Sequence, residues 1–286
     1  MSPSDAEPSL DSLREEIDRI DDRLLDALKA RFAAVEHIGA VKKRSGLASL
    51  PFRPAREAQI LRRLITRNDG ALDPAMLVRI WRELIAAATR RQADFRVTVL
   101  DPDGDGLFTH MAREHFSTLT HLTVVQRSQQ AFTSLVRGEC AVAVLPLPQE
   151  GDSWWIGLPR IGTDKLHAVA RLPFAPHFQP LHEALVFAAL APEPSGDDLS
   201  LLTIESAMGS GRARLIGLLE DAGLPVRWSL IERHAGFDHA NCLLEVEGFV
   251  TDGDTRLVEL TREEGVFSIH SLGAYARPCP PTEDGL

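Results

Sequence analysis

A helical repeat of apolar residues dominates the start of this 286-residue chain. Apolar side chains recur at intervals of three and four, at Leu10, Leu13, Ile17, Ile20, Leu24, Ala27, Leu28, Ala34, Val35, Ile38 and Val41. This spacing predicts one amphipathic helix over residues 10–44 that ends near Gly46. At 1.5 Å per residue the helix is about 50 Å long. Two shorter helices that follow cannot cover it, so we expect this unit to dimerise.

Two full positive charges interrupt the apolar stripe. Arg31 lies about 20° around the helix from Leu24, and Lys42 lies about 20° from Val35. Both side chains point at the predicted core, where an unpaired charge costs several kcal/mol, so they either reach out to water or meet an anion. They are about 16 Å apart along the axis and share nearly one azimuth. Their long side chains can therefore converge on one small dianion.

A third cation, Arg14, lies on the same helix but cannot reach that position. It precedes Arg31 by 17 residues, which places it about 25 Å away and about 100° around the axis. Any part that Arg14 has in the same site must come from a second chain, in agreement with a dimer.

Two further helices repeat the pattern of polar groups on apolar faces. Pro54 can begin the second helix, "AREAQILRRLI", and Asp73 can cap the third, "AMLVRIWRELIAAATRRQ". Glu57 shares the stripe of the second helix, and Gln92 follows the stripe of the third. The stripe of the second helix comprises Leu61 and Leu64. The stripe of the third comprises Leu77, Trp81, Leu84 and Ala88.

Each of these polar residues also has a simpler explanation. The helix dipole favours Lys42 near a C-terminus and Glu57 in a first turn. Gln92 lies in a last turn that can fray, and Arg31 can belong to a structural salt bridge. Four such groups on the apolar faces of three helices favour one interior polar site.

From residue 95 onward the pattern changes to alternating strands and helices. Buried strands are predicted at "RVTVLD", "CAVAVLPL", "DKLHAVARLPF" and "EALVFAAL", with helices at "LFTHMAREHF" and "SQQAFTSLVRG". The polar segment "APEPSGDD" predicts a boundary. The remainder follows the order strand, helix, strand, strand, helix, strand, which is the ferredoxin-like order.

Composition narrows the function classes. The chain has 31 Lys and Arg against 41 Asp and Glu, a net charge of −10, and the excess of acid lies after residue 95. This argues against nucleic acid or an anionic membrane as partner. Without a long apolar run or a signal peptide, we expect a soluble, cytoplasmic protein. Cys140, Cys242 and Cys279 show no metal or redox spacing, so plain thiols are predicted.

The N-terminal helices resemble a known enzyme family. The segments "LREEIDRIDDRLLDALKARFAAVEHIGAVKKRSG", "RPAREAQILRRLI" and "RIWRELIAAATRRQ" are similar to the all-α class of chorismate mutase over residues 10–92. The resemblance implies an intertwined dimer of three-helix chains. It implies the catalytic residues Arg14 (from the partner subunit), Arg31, Lys42, Glu57 and Gln92, and substrate contacts at Arg14, Arg31, Arg56 and Ala88. Two positions depart from the family pattern: Arg53 replaces a common aspartate, and Ala88 replaces a frequent serine.

The chemistry that this resemblance implies fits the residue types. Rearrangement of chorismate to prephenate is unimolecular and pericyclic, so no nucleophile, general base, metal or cofactor is expected. In the family pattern Arg14 and Arg31 hold the two carboxylates of the substrate. Lys42 and Gln92 donate to the breaking ether oxygen, and Glu57 accepts from the ring hydroxyl.

The remaining segments resemble two further families more weakly. "DPDGDGLFTHMAREHF" and "VRGECAVAVLPLPQE" are similar to the first lobe of prephenate dehydratase, at about half the length of a two-lobed enzyme. Residues 148–150 (Pro-Gln-Glu) replace its Glu-Asn-Ser, and residues 183–185 (Glu-Ala-Leu) replace its catalytic Thr-Arg-Phe. "SIHSLGAYA" resembles the closing strand of an ACT domain, of whose amino-acid-binding segment only Glu232 is kept. A structural or dimerising role and the binding of an aromatic amino acid effector both remain open.

These observations predict a multidomain protein. We expect a helical chorismate mutase domain at 1–94, a degenerate dehydratase-like α/β lobe at 95–194 and a ferredoxin-like ACT-type domain at 195–286. The favoured function is a chorismate mutase with no metal. The alternatives are a bifunctional chorismate mutase and prephenate dehydratase, and a non-catalytic regulatory protein that binds a metabolite. The neighbouring His234, Asp238 and His239 are interpreted as a solvated loop.

Overall fold

A computed structural model describes most of the chain. The described residues are 9–44, 50–156, 158, 166–176, 178, 180–233 and 238–281. They fall into two compact units, within residues 1–49 and within residues 50–286. No helix in the described part of the chain combines the length and apolar character that crossing a lipid bilayer requires.

The first unit consists of one helix, α1 (Leu10–Arg44), over the residues that the apolar repeat predicts. Ser9 begins it, because its Oγ accepts a hydrogen bond from the Ser12 backbone N–H at 3.2 Å. The predicted end near Gly46 lies outside the described residues. The large apolar side chains of α1 are 40 to 73% exposed, at Leu10, Leu13, Ile17, Ile20, Leu24, Leu25, Ile38 and Val41.

The second unit opens with two short helices, α2 (Pro54–Arg67) and α3 (Pro74–Gln92). Proline occupies the first turn of each helix, where a missing N–H has no cost. Asp73 caps α3 as predicted, since its Oδ1 accepts from the Met76 backbone N–H at 2.8 Å.

A mixed sheet forms the body of the second unit. Its elements are β1 (Arg96–Leu100), α4 (Leu107–Phe116), β2 (His121–Val125), α5 (Ser128–Val136), β3 (Val142–Pro146), β4 (His167–Leu172), β5 (Ala184–Ala188), β6 (Asp198–Ala207), α6 (Arg212–Asp221), β7 (Val226–Glu232), β8 (His239–Glu247), α7 (Thr255–Leu260) and β9 (Val266–Ala276). The nine strands run in the spatial order β2-β1-β3-β5-β4-β9-β6-β8-β7 across the described residues.

The first five strands form one side of this sheet. β1 pairs in parallel with β2 and β3, and β5 pairs antiparallel with β3 and β4. β2 is not among the strands predicted from the sequence, because it lies at the sheet edge with mostly exposed side chains. The signal for it in the sequence is the run of three β-branched residues that ends "HLTVV".

The last four strands form the other side and are antiparallel to one another in the order β9-β6-β8-β7. The two sides meet where Ala168 of β4 pairs with Gly273 of β9. Gly273 has a φ of +141°, and a Cβ there would lie 2.2 Å from the Ala168 carbonyl oxygen. The junction therefore requires glycine at this position.

The hydrophobic core covers both faces of the sheet. α4 packs on one face over Val97 and Val99, and α5 packs on the other face through Phe132. Helices α2 and α3 form a smaller cluster with the segment after β4 and the end of β9, through Ala58, Leu61, Val78, Phe174 and Ala276. The second and third helices of the chain are thus anchored to the α/β part.

Candidate functional site

The three cations predicted on α1 differ in their exposure. Arg14 is exposed, and its Nη1 donates to Asp11 Oδ1 at 3.1 Å. Arg31 and Lys42 are half-buried. The Arg31 guanidinium lies 6.0 Å from the ring centroid of Phe32, and burial lowers the pKa of Arg31 below its usual range. The stripe on α1 therefore holds two partly desolvated cations.

Glu57 on α2 is buried, as its position on the apolar stripe predicts. Its Oε2 accepts a hydrogen bond from Arg82 Nη1 on α3 at 2.7 Å, and the two residues are only 7% and 5% exposed. Burial raises the pKa of Glu57, while the charge of Arg82 and hydrogen bonds from Arg82 and the Arg53 backbone act in the opposite direction. The pair links α2 to α3 and fixes the orientation of the Glu57 carboxylate.

Arg82 is a buried residue that sequence analysis missed. The predicted stripe of α3 passes through Trp81 and Leu84, yet both are only half-buried. The buried face lies further round the helix, at Leu77, Val78, Arg82, Ile85, Ala86, Ala88 and Thr89. Arg82 lies four residues after Val78 and three before Ile85, so the signal was the one that singled out Arg31, a charge within an apolar row.

The other predicted residues of the second unit lie on the same two helices. Arg56 is exposed, and its Nη1 donates to Gln59 Oε1 at 3.4 Å. Ala88 is buried, and Gln92 is exposed one turn later. Gln92 Nε2 donates to the Ala88 carbonyl oxygen at 3.2 Å, so these two residues adjoin. Arg14, Arg31 and Lys42 belong to the first unit.

Residues 183–185, where the sequence predicts the counterpart of the dehydratase Thr-Arg-Phe, lie next to a buried network of ion pairs. Glu183 accepts hydrogen bonds from Arg171 Nε and Nη2 at 2.9 and 2.6 Å, and the two following residues are completely buried. Arg171 also contacts the fully buried Glu245, which accepts from the Tyr275 hydroxyl at 2.7 Å. This network joins β4 to β8 and β9 beside the sheet junction.

The remaining predicted positions are mostly tied into the fold. Glu232 Oε1 accepts from the Gly151 backbone N–H at 3.0 Å. Asp238 Oδ1 lies 3.1 Å from His239 Nδ1, and His234 lies outside the described residues. Across the part of the chain that the structure describes, no three His, Cys, Asp or Glu side chains are grouped to hold a metal ion. Burial raises the pKa of the Cys242 thiol to about 12, so this thiol is unreactive at neutral pH.

Comparison with known proteins supports the N-terminal resemblance. Residues 13–93 match the family model for chorismate mutase type II, a segment that includes every predicted site residue. A bifunctional chorismate mutase/prephenate dehydratase of Pseudomonas aeruginosa is 28% identical over 142 residues, which is 48% of this chain and 38% of that protein. The enzyme of the same description from Aquifex aeolicus is 31% identical over 144 residues, with the same shares of 48% and 38%.

The aligned part of the chain spans about two fifths of the length of these curated relatives. Among solved structures, prephenate dehydratase from Streptococcus mutans superposes with a TM-score of 0.45 at 15% identity, over 65% of this chain and 100% of that chain. The resemblance of the N-terminal segment to chorismate mutase is confirmed.

Proposed function

We propose that this protein is a chorismate mutase, which converts chorismate to prephenate in the synthesis of aromatic amino acids. The observation that carries the proposal is the match of residues 13–93 to chorismate mutase type II. The matched segment contains the two half-buried cations of α1 and the buried Glu57 of α2. Cations can bind the two carboxylates of the substrate, and hydrogen-bond donors can stabilise the negative charge that develops in the rearrangement. One carboxylate can accept a hydrogen bond from the ring hydroxyl.

In this proposal catalysis is electrostatic and conformational. Arg31, with Arg14 of a second chain, holds the two carboxylates and so selects the compact conformer of the substrate. Lys42 and Gln92 donate hydrogen bonds to the ether oxygen, which gains negative charge as its bond breaks. Partial desolvation of Arg31 strengthens its interaction with a carboxylate, because the local dielectric is lower than that of water.

Residues of α2 and α3 complete the proposed site. Glu57 accepts from the ring hydroxyl of the substrate, and its ion pair with Arg82 orients the carboxylate for this contact. Ala88 contributes a buried surface and Arg56 a nearby positive charge.

We further infer a homodimer, in which Arg14 of each chain completes the site of the other. The exposed apolar side chains of α1 support this inference, because burying a row of leucines and isoleucines along 35 residues against a second chain lowers the free energy. The exposed position of Arg14 leaves it available to a second chain.

For the rest of the chain we propose a degenerate dehydratase-like lobe at 95–194 and an ACT-type domain at 195–286. Residues 198–276 support the second assignment through their strand-helix-strand-strand-helix-strand order with neighbours β9-β6-β8-β7. We propose that this domain mediates assembly or binds an aromatic amino acid effector, in a cytoplasmic enzyme that needs no cofactor.

A bifunctional chorismate mutase and prephenate dehydratase is the second candidate, favoured by the names of the relatives. The residues at 183–185 argue against it. The resemblance to dehydratases implies a catalytic threonine and arginine there, whereas this chain has Glu183 in an ion pair with Arg171, followed by Ala184 and Leu185.

The experiment that tests the proposal is an assay of the full-length chain. Purified protein is incubated with chorismate, and separately with prephenate, and the products are identified by chromatography. We expect prephenate from chorismate and no phenylpyruvate above the spontaneous background. Formation of phenylpyruvate supports the bifunctional candidate, and no turnover of chorismate supports a non-catalytic metabolite-binding protein.

A further inference from the structure

The two end strands of the described sheet, β2 and β7, differ in charge. β7 carries Arg227 and Glu232, whereas β2 carries no Asp, Glu, Lys or Arg, and neither does the whole segment 115–126 that contains it. Soluble proteins usually place charges on open edge strands, because charged side chains prevent pairing with another chain. β2 lacks this protection, which indicates that another strand covers its edge.

The side chains of β2 also favour pairing. Three of its five residues, Thr123, Val124 and Val125, are β-branched, a type that stabilises paired strands. Val124 is 49% exposed, and Leu119, two residues before the strand, is 76% exposed. Covering these apolar side chains with a second strand removes their surface from water and lowers the free energy.

The backbone of β2 shows which groups face the open edge. The Asp101 backbone N–H donates to the Val125 carbonyl oxygen at 2.9 Å, so Val125 directs its backbone groups toward β1. The direction alternates from residue to residue along a strand, and Thr123 therefore also faces β1, with which β2 pairs in parallel. Leu122 and Val124 direct their N–H and C=O groups outward, where a further strand can bind them.

We propose that β2 pairs with β2 of a second copy of this chain, antiparallel about a two-fold axis at Thr123. Leu122 of each copy then lies opposite Val124 of the other, and the two residues exchange both backbone hydrogen bonds. Thr123 lies opposite its own counterpart as a pair without backbone hydrogen bonds. The sheets of the two copies continue as one sheet.

A second copy is the occupant that fits, because β2 is complementary to itself in this register. Leu122 and Val124 of both copies lie on one face and form an apolar patch, while the two Thr123 side chains meet on the other face, where Thr–Thr pairs are favourable. Arg127, the first charge after the strand, lies opposite Leu119, so no like charges meet. Two-fold pairing also closes on itself and leaves neither β2 edge open.

This contact differs from the α1 dimer proposed above. β2 belongs to the second unit of the chain, and none of its residues is proposed to contact chorismate. The proposal therefore does not depend on chorismate turnover, and its readouts are a disulfide and an association constant.

Cysteine cross-linking of the full-length chain tests the register. Thr123→Cys places two thiols across the axis, with Cα atoms about 4.5 Å apart, a separation that a disulfide spans. His121→Cys is the matched control, because His121 is exposed on the same face but lies about 13 Å from its counterpart along the paired strands. Under oxidation we expect Thr123→Cys to form covalent dimers at least about tenfold faster than His121→Cys. Equal rates would overturn the proposal.

A charge at the axis tests the contact without a cross-link. We expect Thr123→Lys to weaken self-association at least about tenfold in sedimentation equilibrium, because it sets two like charges opposite each other. Thr251→Lys, at an exposed threonine between β8 and α7, should associate like the unmodified chain. An unmodified chain that sediments as a single copy at micromolar concentration contradicts the pairing, and so does self-association that Thr123→Lys leaves unchanged.

Discussion

At the level of single residues, three charged side chains lie on apolar helix faces. Arg31 and Lys42 are half-buried on α1, and Arg82 is buried on α3. Arg82 has a protein counter-ion in Glu57, so it is part of the fold. For Arg31 and Lys42 we propose a contact with the substrate. The two cases should respond differently to mutation.

Removing Arg31 should affect turnover and leave the fold in place. We expect Arg31→Ala to lower the rate of chorismate rearrangement by about 10²- to 10³-fold, because one charge-stabilising donor is lost. Steady-state kinetics and the melting temperature measure the two effects. Lys29→Ala is the matched control, since Lys29 is exposed on the same helix and pairs with its neighbour Asp26 at 3.0 Å. An unfolded Arg31→Ala chain supports a structural salt bridge instead.

Removing Arg82 alone should destabilise the protein. We expect Arg82→Met to lower the free energy of unfolding by about 3 to 5 kcal/mol, because it leaves the Glu57 carboxylate buried without its partner. The double variant Glu57→Leu with Arg82→Met should recover most of this loss. Denaturant unfolding of both single variants and the double variant gives the coupling between the two residues. Additive losses would show that the pair is not coupled.

At the scale of elements, local patterns predicted most helices and strands. The bounds of α1 follow from apolar spacing, the start of α2 from Pro54, and the cap of α3 from Asp73. The edge strand β2 was missed because it buries little and so lacks a strong apolar signal. The buried face of α3 was misjudged because contacts with α4 and with the segment after β4, distant in sequence, decide which face is covered.

In the candidate site, too, local sequence predicts some features, and contacts between residues distant in sequence decide the others. Glu57 was predicted to be buried from its position on α2, and it is. Its partner Arg82 is 25 residues away on another helix, and no local spacing connects the two. The roles of Arg14, Arg31, Lys42, Arg56, Ala88 and Gln92 toward a substrate stay predictions.

The junction between β4 and β9 can be tested by adding one methyl group. We expect Gly273→Ala to lower the free energy of unfolding by about 3 kcal/mol or more, because its Cβ would meet the Ala168 backbone. Gly217→Ala is the control, since Gly217 lies within α6 and a Cβ there meets nothing within 4 Å. That control should stabilise the protein by about 0.5 to 1 kcal/mol. Equal melting temperatures for Gly273→Ala and the unmodified chain would contradict the requirement for glycine where β4 meets β9.

At the scale of the whole molecule, the exposed apolar side chains of α1 predict a dimer with shared sites. Arg14→Ala and Arg31→Ala chains should each turn over chorismate about 10²- to 10³-fold more slowly than the unmodified chain. After subunit exchange, each mixed dimer should contain one site with both arginines intact, and activity should return. Mass spectrometry of the mixture verifies exchange. The control is the Arg31→Ala protein alone, taken through the same exchange procedure. Continued inactivity of verified mixed dimers contradicts sites shared between chains.

The most direct test of the central claim is the position of a bicyclic dicarboxylate transition-state analogue in a crystal structure of this protein. We expect one analogue per chain, with its carboxylates on Arg31 and on Arg14 of a second chain. Lys42 and Gln92 should contact its ether oxygen, and Glu57 its hydroxyl. An analogue bound elsewhere, with the Arg31 and Lys42 side chains extended into solvent, would contradict it.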